Sequence, residues 1–385
     1  MPNPRFCRNP ACPYCFNPPA KWYVRAGTYL TAAHGVVQRF QCKRCGTGLG
    51  AQTESMHYYA KRRVDLPEIF SRIRGGSSLR DIGRELGLSR TAVANASLRL
   101  GRQAMSSHID LMCSLECSGS LSFDGLVSAV TSKDYPSQIT TLGDSKHELL
   151  LAMTHCVTER GGTRTKAQQK RIERRRKVWS PQRGGLTGSI SLLVSELTRF
   201  AGPKALCIDT DEHPIYAKVI DSDAALRWYR ENRLLEVRRT PGVAPRTTAN
   251  PLFLMNYLDR MIRHRVKEHT RETIAGGRNS TFQMHRMWIF AWDHNTRQPM
   301  RVEGGDTRSR AVMAGAPAHL TAKLDREFYT RRHSLRGLPV PESIRRVWSA
   351  ELDSPPVRWS EPQKNWGPRV TKFAMQDLRY GSYAS

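Results

Sequence analysis

Five cysteines near the N-terminus constrain the fold of this chain more than any other feature. Cys12 and Cys15 form one CxxC pair, Cys42 and Cys45 form another, and Cys7 lies just before the first. Two such pairs can hold one tetrahedral zinc ion, because thiolates two residues apart can bind the same metal. A set of disulfides fits poorly with nine cysteines, an odd number. The predicted ligands are therefore Cys42 and Cys45 with either Cys12 and Cys15 or Cys7 and Cys12.

The segment between the two cysteine pairs predicts short strands. Residues 22–30 and 35–42 are rich in β-branched and aromatic side chains and are separated by glycine turns. This composition is typical of strands. Because so small a unit buries little apolar surface, a bound metal would take the place of a larger core. We therefore predict that residues 1–56 form a zinc ribbon in which zinc is structural.

The charge of the chain indicates a polyanionic partner. Lys and Arg total 61 against 34 acidic residues, which gives a net charge of +27 over 385 residues. Such an imbalance is typical of proteins that bind nucleic acid. No apolar run approaches the roughly 20 residues that span a bilayer, and the first residues carry no secretory signal. We expect no membrane partner and a location in the reducing cytoplasm, associated with the nucleoid.

Residues 66–106 show a helical period and two helix-start signals. Ser78 and Ser89 are in position to cap two successive helices, and Gly87 provides a tight turn between them. Val93 and Ala96 then point inward. This arrangement predicts a helix-turn-helix DNA-binding domain, with an ordinary helical hairpin as the alternative.

The second of these helices carries residue types that contact DNA. When its apolar side faces inward, four polar side chains project outward: Arg90, Thr91, Asn95 and Arg99. Recognition helices use such residues on base edges and phosphates. We therefore predict that these four residues bind double-stranded DNA.

From residue 119 onward, strands and helices alternate, which predicts an α/β core over residues 119–300. The predicted strands cover residues 121–130, 138–142, 148–157, 204–209 and 234–239. The predicted helices cover residues 190–200, 213–230 and 252–270. Residues 301–385 are rich in Pro, Gly and Arg and predict a basic, irregular C-terminal tail with a few short helices.

A strongly basic segment interrupts the predicted core. Residues 160–183 contain ten Lys or Arg and one acid, Glu173. Four of the basic residues are consecutive: Arg174, Arg175, Arg176 and Lys177. No base-reading pattern accompanies them, so we predict contacts to DNA phosphates without sequence preference. The alternative is a solvated insertion.

Two aspartates follow or interrupt apolar strands. Asp124 lies inside the strand 121–130, and Asp211 directly follows another apolar strand. A carboxylate there is costly to bury unless it is paired or binds a metal. Carboxylates at the ends of adjacent strands suit Mg²⁺, and two such ions roughly 4 Å apart promote phosphodiester chemistry. The alternative is that each aspartate serves only to end a strand.

The order of these parts resembles a known family. A zinc ribbon, a helix-turn-helix and a strand-borne aspartate follow one another in bacterial insertion-sequence transposases with a ribonuclease H-like DDE core. The similar segments are 7–13 (CRNPACP), 38–46 (QRFQCKRCG), 208–216 (IDTDEHPIY) and 288–301 (WIFAWDHNTRQPMR). The resemblance covers roughly residues 5–301. It implies that Asp124 and Asp211 are the first two metal ligands and that the core is a mixed ribonuclease H-like sheet.

The third metal ligand departs from that family's pattern. The family carries a Glu on a helix with an Asn three residues later, whereas here Asn256 stands at the Glu position and Asp259 at the Asn position. Positions i and i+3 share a helix face, so Asp259 could reach the metals instead. Glu268 and Glu272 are further candidates.

The resemblance implies a DDE-type transposase. Such an enzyme uses catalytic Mg²⁺ to cleave and transfer DNA strands. Its expected partners are the terminal inverted repeats of the element and the target DNA, and a homo-oligomer would assemble on them. The alternative is a non-catalytic zinc-ribbon and helix-turn-helix DNA-binding protein, either a regulator or a domesticated transposase. A third interpretation, an RNA-binding zinc-ribbon protein, leaves the helix-turn-helix pattern unexplained.

Overall fold

The structure, a computed structural model, describes residues 3–201, 204–270, 276–300, 306–359, 368 and 370–383. These residues form a mixed α/β protein with a three-stranded sheet, a five-stranded sheet and one short pair of strands. Within the described ranges, every helix is too short or too polar to cross a membrane.

The N-terminal sheet is an antiparallel meander. Its strands are β1 (Tyr23–Thr31), β2 (Gly35–Cys42) and β3 (Gly48–Gly50). The pairing of β1 with β2 shifts register between Arg25 and Thr28, where Gly27 adopts a positive φ of 78°. Glycine tolerates this conformation, which lets the strand bend at a bulge. The two strands predicted here are confirmed, and they place the second cysteine pair at the end of β2.

Three helices follow, and a side chain caps the start of each. They are α1 (Leu66–Arg74), α2 (Leu79–Glu85) and α3 (Arg90–Met112). Asp65, Ser78 and Ser89 each accept a hydrogen bond from a backbone N–H of the first turn. Gly87, with a φ of +60°, makes the turn between α2 and α3. The predicted Ser78 and Ser89 caps are confirmed, and they explain why α3 starts where it does.

The central sheet has five strands in the order β6-β5-β4-β7-β8. The strands are β4 (Ser120–Val130), β5 (Ser132–Asp144), β6 (Leu149–Val157), β7 (Leu206–Asp211) and β8 (Leu235–Thr240). The pairs β4–β5 and β5–β6 are antiparallel, whereas β4–β7 and β7–β8 are parallel. The central strand is therefore β4, which has an antiparallel neighbour on one side and a parallel neighbour on the other.

Six helices surround this sheet. They are α4 (Lys166–Arg176), α5 (Gly185–Ala201), α6 (Pro214–Ser222), α7 (Ala224–Glu231), α8 (Phe253–Arg265) and α9 (Ser280–Thr296). The single helix predicted over 213–230 is wrong in one respect, because Asp223 has an extended backbone and caps the start of α7. The predicted helix 252–270 ends early, at Arg265, because Val266 leaves the helical conformation.

The C-terminal region packs on the rest of the molecule instead of extending away as a tail. It contains α10 (Arg310–Met313), α11 (Ala318–Glu327), β9 (Pro339–Val340), α12 (Glu342–Trp348), α13 (Lys372–Leu378) and β10 (Ser382–Tyr383). Phe328 stacks on Trp292 of α9 with ring centroids 5.4 Å apart. Arg5 forms an ion pair with Glu327 at 2.6 Å, so the C-terminal region also contacts the N-terminal module. Its few apolar residues are therefore part of the common core.

Candidate functional site

Four cysteine sulfurs gather at one end of the N-terminal sheet. The Sγ atoms of Cys7, Cys12, Cys42 and Cys45 all lie within 4.8 Å of one another. Cys7 Sγ is 3.5 Å from Cys45 Sγ, and Cys12 Sγ is 3.9 Å from Cys42 Sγ. A tetrahedral zinc site with Zn–S bonds of about 2.3 Å requires sulfurs about 3.8 Å apart. The four cysteines are therefore compatible with a zinc site.

Two backbone turns bring these cysteines together. Gly46 N–H donates to Cys42 O at 2.9 Å, and Gly46 has a φ of +71°, which closes the second cysteine pair into a tight knuckle. Cys7 N–H donates to Tyr14 O at 2.9 Å, and this bond folds the first segment back on itself. A bound metal would therefore join a turn at the N-terminus to the end of β2.

The thiols of this cluster differ in acidity. Burial raises the pKa of Cys7 and of Cys12, because a buried thiolate loses its hydration. A hydrogen bond between Cys45 Sγ and the Thr47 hydroxyl, 3.1 Å apart, lowers the pKa of Cys45 to about 6. A divalent cation among the four sulfurs would supply the positive charge that buried thiolates need.

Cys15 lies outside this cluster, although the sequence left it open as a ligand. A short 3-10 turn, Pro13–Cys15, directs it to the opposite side. There it is fully buried against Phe6 and Tyr380. Arg336 donates to the backbone oxygen of Cys15 at 2.7 Å. Of the two alternatives for the first pair, the geometry supports Cys7 with Cys12, and Cys15 is a packing residue.

The predicted aspartates lie on neighbouring strands at the centre of the large sheet. Ser122 of β4 pairs with Asp209 of β7 in parallel register. Two residues further along each strand are Asp124 and Asp211, both half-buried. Because side chains alternate with a period of two, both carboxylates leave the sheet on the same face. The structure therefore brings Asp124 and Asp211 together at the β4–β7 junction.

Helix α8 covers that same face. Thr141 of β5 is directly opposite Asp124, and its hydroxyl donates to Met255 Sδ at 3.4 Å. A Cβ at Gly143 would lie 2.6 Å from Leu254 Cδ2, so glycine lets α8 approach β5 closely. Asp259 follows Met255 by one helical turn and therefore shares its side of the helix. The helix thus carries Asp259 toward the two strand aspartates.

The pKa of Asp124 shows that the other two acids act on it. Burial, followed by the charges of Asp259 and Asp211, raises the pKa of Asp124 to about 7. The Gly125 N–H, which donates to Asp124 Oδ1 at 2.6 Å, and the charge of Arg246 act in the opposite direction. Sequence reasoning missed Arg246, because it lies in a stretch without periodicity. Three like charges within mutual influence form a site that favours cation binding.

Tyr216 of α6 adjoins this acidic site. Its ring packs edge-on against Phe123 with centroids 5.0 Å apart, and a Cβ at Gly125 would lie 3.4 Å from its hydroxyl oxygen. Burial raises the pKa of Tyr216, and the charges of Asp124, Asp211 and Asp259 add to the rise. The phenol is therefore neutral at ordinary pH and forms one wall of the site.

The other candidates for a third ligand are less suited to the role. The Asn256 amide donates to Leu252 O at 3.0 Å within its own helix. Glu268 is buried and forms an ion pair with Arg286 of α9. Glu272 lies outside the described residues. The acid that acts on Asp124 from α8 is Asp259.

The predicted DNA-contacting residues of α3 divide into two groups. Arg90, Thr91 and Asn95 are exposed, while Val93 and Ala96 are buried as predicted. Arg99 is different, and its assignment to the open face is wrong. It is partly buried, its Nη1 donates to Met56 O at 3.0 Å, and burial lowers its pKa to about 10. The segment that follows the ribbon folds over this part of α3.

The consecutive basic residues of α4 also divide. Arg175 pairs with the buried Asp134 at 2.8 Å, and Arg176 pairs with Glu159 at 2.5 Å. Both charges are therefore paired within the protein, and the contact of these two residues with DNA phosphates stays a prediction. Arg174 and Lys177 remain exposed, and neither forms an ion pair with a residue that the structure describes.

The Asp134 pairs should fix α4 to the sheet. Arg171 and Arg175 both donate to Asp134, and the Arg171 hydrogen bond lowers the pKa of that carboxyl. We expect Asp134→Asn to destabilise the protein by about 1.5–3 kcal/mol at neutral pH, the value of a charged hydrogen bond. Because the folded-state pKa is lowered, the stabilisation is present above the usual pKa of aspartate and lost as pH falls through the folded-state value. Denaturant unfolding at several pH values would therefore show the variant and the wild type converging in acid.

Comparison of the chain with protein-family models, with curated proteins and with solved structures finds no match. Its class is therefore defined by its own geometry. It is a mixed α/β protein with a four-cysteine cluster near the N-terminus and a five-stranded sheet whose central strand carries Asp124, on which the charges of Asp211 and Asp259 act.

Proposed function

We propose that the protein is a DDE-type transposase that cleaves and transfers DNA strands with divalent metal ions. The observation that carries the proposal is that two other acids act electrostatically on Asp124. Asp124 and Asp211 lie on adjacent strands at matching register, and Asp259 acts on Asp124 from the helix above them. Carboxylates that come from separate elements and influence one another suit a metal-dependent phosphoryl transfer site.

The donor set fits Mg²⁺ in its chemistry. Carboxylate oxygens are the ligands that this hard cation prefers. Asp124 and Asp211 would hold it from the sheet, and Asp259 would add the third negative charge from α8. When bound, divalent ions activate a hydroxyl nucleophile and stabilise the leaving oxygen of a phosphodiester. The protein's own part is to hold the three carboxylates and to keep Tyr216 neutral beside them.

The architecture supports the finer parts of the proposal. A mixed five-stranded sheet with an acid on its central strand is compatible with a ribonuclease H-like core. Helices α2 and α3, joined by a turn at Gly87, are compatible with a helix-turn-helix. The net charge of +27 favours DNA as the partner. The metal in the N-terminal module would be zinc, and an oligomer would bring two element ends together.

A strand-transfer assay tests this function directly. The full-length protein is incubated with labelled DNA carrying the inverted repeats that flank its gene, with Mg²⁺ or Mn²⁺ as the only divalent ion. We expect nicking at the element ends and joining of those ends to target DNA, and EDTA should stop both. Tight binding to the ends without any cleavage would contradict the enzymatic proposal.

That outcome would favour the second candidate, a non-catalytic DNA-binding regulator. Asn256 supports this non-catalytic candidate, because an amide stands where the resembling family has its glutamate. Its hydrogen bond to Leu252 O also keeps it within its own helix. Asp259 argues against the non-catalytic candidate, because a core without catalytic activity does not require a third acid near Asp124 and Asp211.

The exposed side of α3 should read DNA sequence. Replacing Arg90, Thr91 and Asn95 together with alanine should weaken specific binding by several kcal/mol, at roughly 1–3 kcal/mol for each good base contact. Gel-shift competition between specific and random DNA measures the effect. The matched control is Arg84→Ala, which removes an exposed arginine from α2 that pairs with Asp81. An unchanged sequence preference in the triple variant would rule out α3 as the reading helix.

The outer side of α4 should contact phosphates without reading sequence. Lys166, Lys170, Arg174 and Lys177 are exposed and follow one another at intervals of three or four residues, which places them on one helix face. Replacing all four with Gln should reduce the slope of log K against log salt by up to about 0.9 for each lost phosphate contact. Arg176→Gln, which removes a charge already paired with Glu159, should leave the slope unchanged. Equal slopes for all three proteins would mean that α4 does not touch DNA.

A further inference from the structure

A cavity lies beside α3, and its lining includes none of the three acids Asp124, Asp211 and Asp259. Its volume is about 760 Å³. One wall is the side of α3 that carries Arg99 and Arg102, and the segment 56–64 forms a second wall. The third wall comes from the C-terminal region and includes Arg332 and Trp348. Three parts of the chain that are distant in sequence therefore enclose one space.

Positive charge dominates this cavity. Arg99 and Arg102 are three residues apart on α3 and so occupy the same helix face. Arg332 faces them from the C-terminal region. Among the described residues that line the cavity, the one acid is Asp377, and it is shared between Arg332 and Arg8 at 3.3 Å each. One carboxylate therefore offsets only part of the charge of several guanidinium groups.

Some of the nitrogens that carry this charge are buried without a hydrogen-bond partner among the described residues, although the Arg102 guanidinium carbon also lies 6.0 Å from the centre of the Trp348 ring. Arg102 Nε and Nη2 are both shielded from solvent and make no hydrogen bond to any residue that the structure describes. The Nε of Arg332 is in the same condition. Burial, together with the charges of neighbouring arginines, lowers the pKa of Arg99 and of Arg102 to about 10. Buried charges in proteins are normally paired, because an unpaired one loses its hydration without compensation.

We propose that this cavity is a phosphate-binding site, with Arg102 at its centre and Arg99 and Arg332 on either side. A guanidinium group presents planar, paired N–H donors that match the oxygens of a phosphate. A bound phosphate would accept from the orphaned Arg102 nitrogens and offset the repulsion among the three arginines. Tyr58, whose ring lies 5.0 Å from the Arg332 guanidinium carbon, adds an aromatic surface beside them.

The phosphate could belong to a DNA backbone or to a small phosphorylated molecule. The first source rests on the proposed DNA-binding function, since the same helix carries Arg90, Thr91 and Asn95 at its exposed end. The second source does not depend on that function. Binding of inorganic phosphate alone therefore tests the site, and DNA binding then identifies the source.

The first experiment measures the melting temperature of the full-length protein in inorganic phosphate and in sodium chloride of equal ionic strength. A ligand that binds only the folded state raises the melting temperature. We expect phosphate to raise it for the wild type and for the control Arg227→Met, which removes an exposed arginine from α7. Arg102→Met should abolish the rise and should itself be no less stable than the wild type in chloride. If Arg102→Met does not fold, Arg99→Met should still reduce the phosphate effect.

The second experiment compares the salt dependence of DNA binding. If a backbone phosphate enters the cavity, Arg102→Met should lower the slope of log K against log salt by about 0.9. If Arg102→Met and the wild type have the same slope, but phosphate stabilises the wild type and not Arg102→Met, the site serves a small phosphorylated molecule. The proposal is overturned if phosphate stabilises the wild type and Arg102→Met equally, or stabilises neither. If Arg102→Met melts at a lower temperature than the wild type in chloride, and phosphate does not raise the melting temperature of the wild type, Arg102 has a packing role only.

Discussion

Cys42→Ser is expected to release zinc and unfold the N-terminal module. The apolar cluster around the cysteines is small: Cys7, Cys12, Trp22, Val37, Phe40, Cys42, Leu49 and Ala51. Three of them are themselves candidate ligands, so the apolar core that remains is small. A structural zinc ion contributes about 10–16 kcal/mol of apparent binding energy in such modules, which here would be folding energy. Metal analysis should find one zinc per wild-type chain and well under one per variant chain.

The neighbouring Cys15 provides a matched control. It is buried like Cys42 and belongs to the same CxxC-rich segment, but its sulfur lies outside the cluster. Cys15→Ser should therefore keep one zinc per chain. Hydrogen exchange should show rapid exchange over β1 and β2 in Cys42→Ser only, with protection of the central sheet retained in both. Zinc loss in Cys15→Ser with retention in Cys42→Ser would reverse our ligand assignment.

The features that sequence could predict are those set by local chemistry. Ser78 and Ser89 cap helices because a hydroxyl at that position bonds the first turn, whatever surrounds it. Asp124 can be recognised from the sequence because a carboxylate within an apolar strand is costly to bury unless it is paired or binds a metal. The same holds for the CxxC spacing that brings Cys42 and Cys45 together. In each case, the signal lies within a few residues of its effect.

The features that sequence could not predict depend on distant partners. Arg99 leaves the open face of α3 because the segment near Met56 folds over it. The charges of Arg175 and Arg176 on α4 are paired with acids that precede them in the sequence by 41 and 17 residues. No local pattern indicates such pairing. The orphaned nitrogens of Arg102 are likewise visible only when the C-terminal region is in place.

The same limit explains the treatment of the C-terminal region. Its content of Pro, Gly and Arg resembles that of an irregular tail. Composition does not show which distant parts of the protein such a segment packs against. Phe328 and Trp348 are nevertheless buried, the first against Trp292 and the second through a hydrogen bond from its indole to Ala374 O at 2.7 Å. Isolated aromatic residues in an irregular segment are enough to hold it to a core, and one of them lines the cavity beside α3.

The three acids of the candidate metal site, two on the central sheet and one on α8, give the largest expected catalytic effect. Asp124→Asn, Asp211→Asn and Asp259→Asn should each lower the rate of strand cleavage by at least about 10³-fold. The reason is that metal coordination supplies several kcal/mol of transition-state stabilisation, and each 1.4 kcal/mol is worth about a factor of ten in rate. Binding to the element ends should remain, because Arg90, Thr91 and Asn95 lie on a different element.

Two control variants separate a metal ligand from an acid that is merely nearby. Glu212→Gln changes an exposed acid next to Asp211 and should cut like the wild type. Asn256→Ala removes the amide at the position where the resembling family has its glutamate, and it should cut nearly normally if Asp259 is the ligand. Normal cleavage by Asp259→Asn together with loss of cleavage in Asn256→Ala would make Asn256 the ligand. Asp124 and Asp211 would then supply enough negative charge for the metals. The inference that Asp259 is a third ligand, made from its effect on the pKa of Asp124, would be wrong.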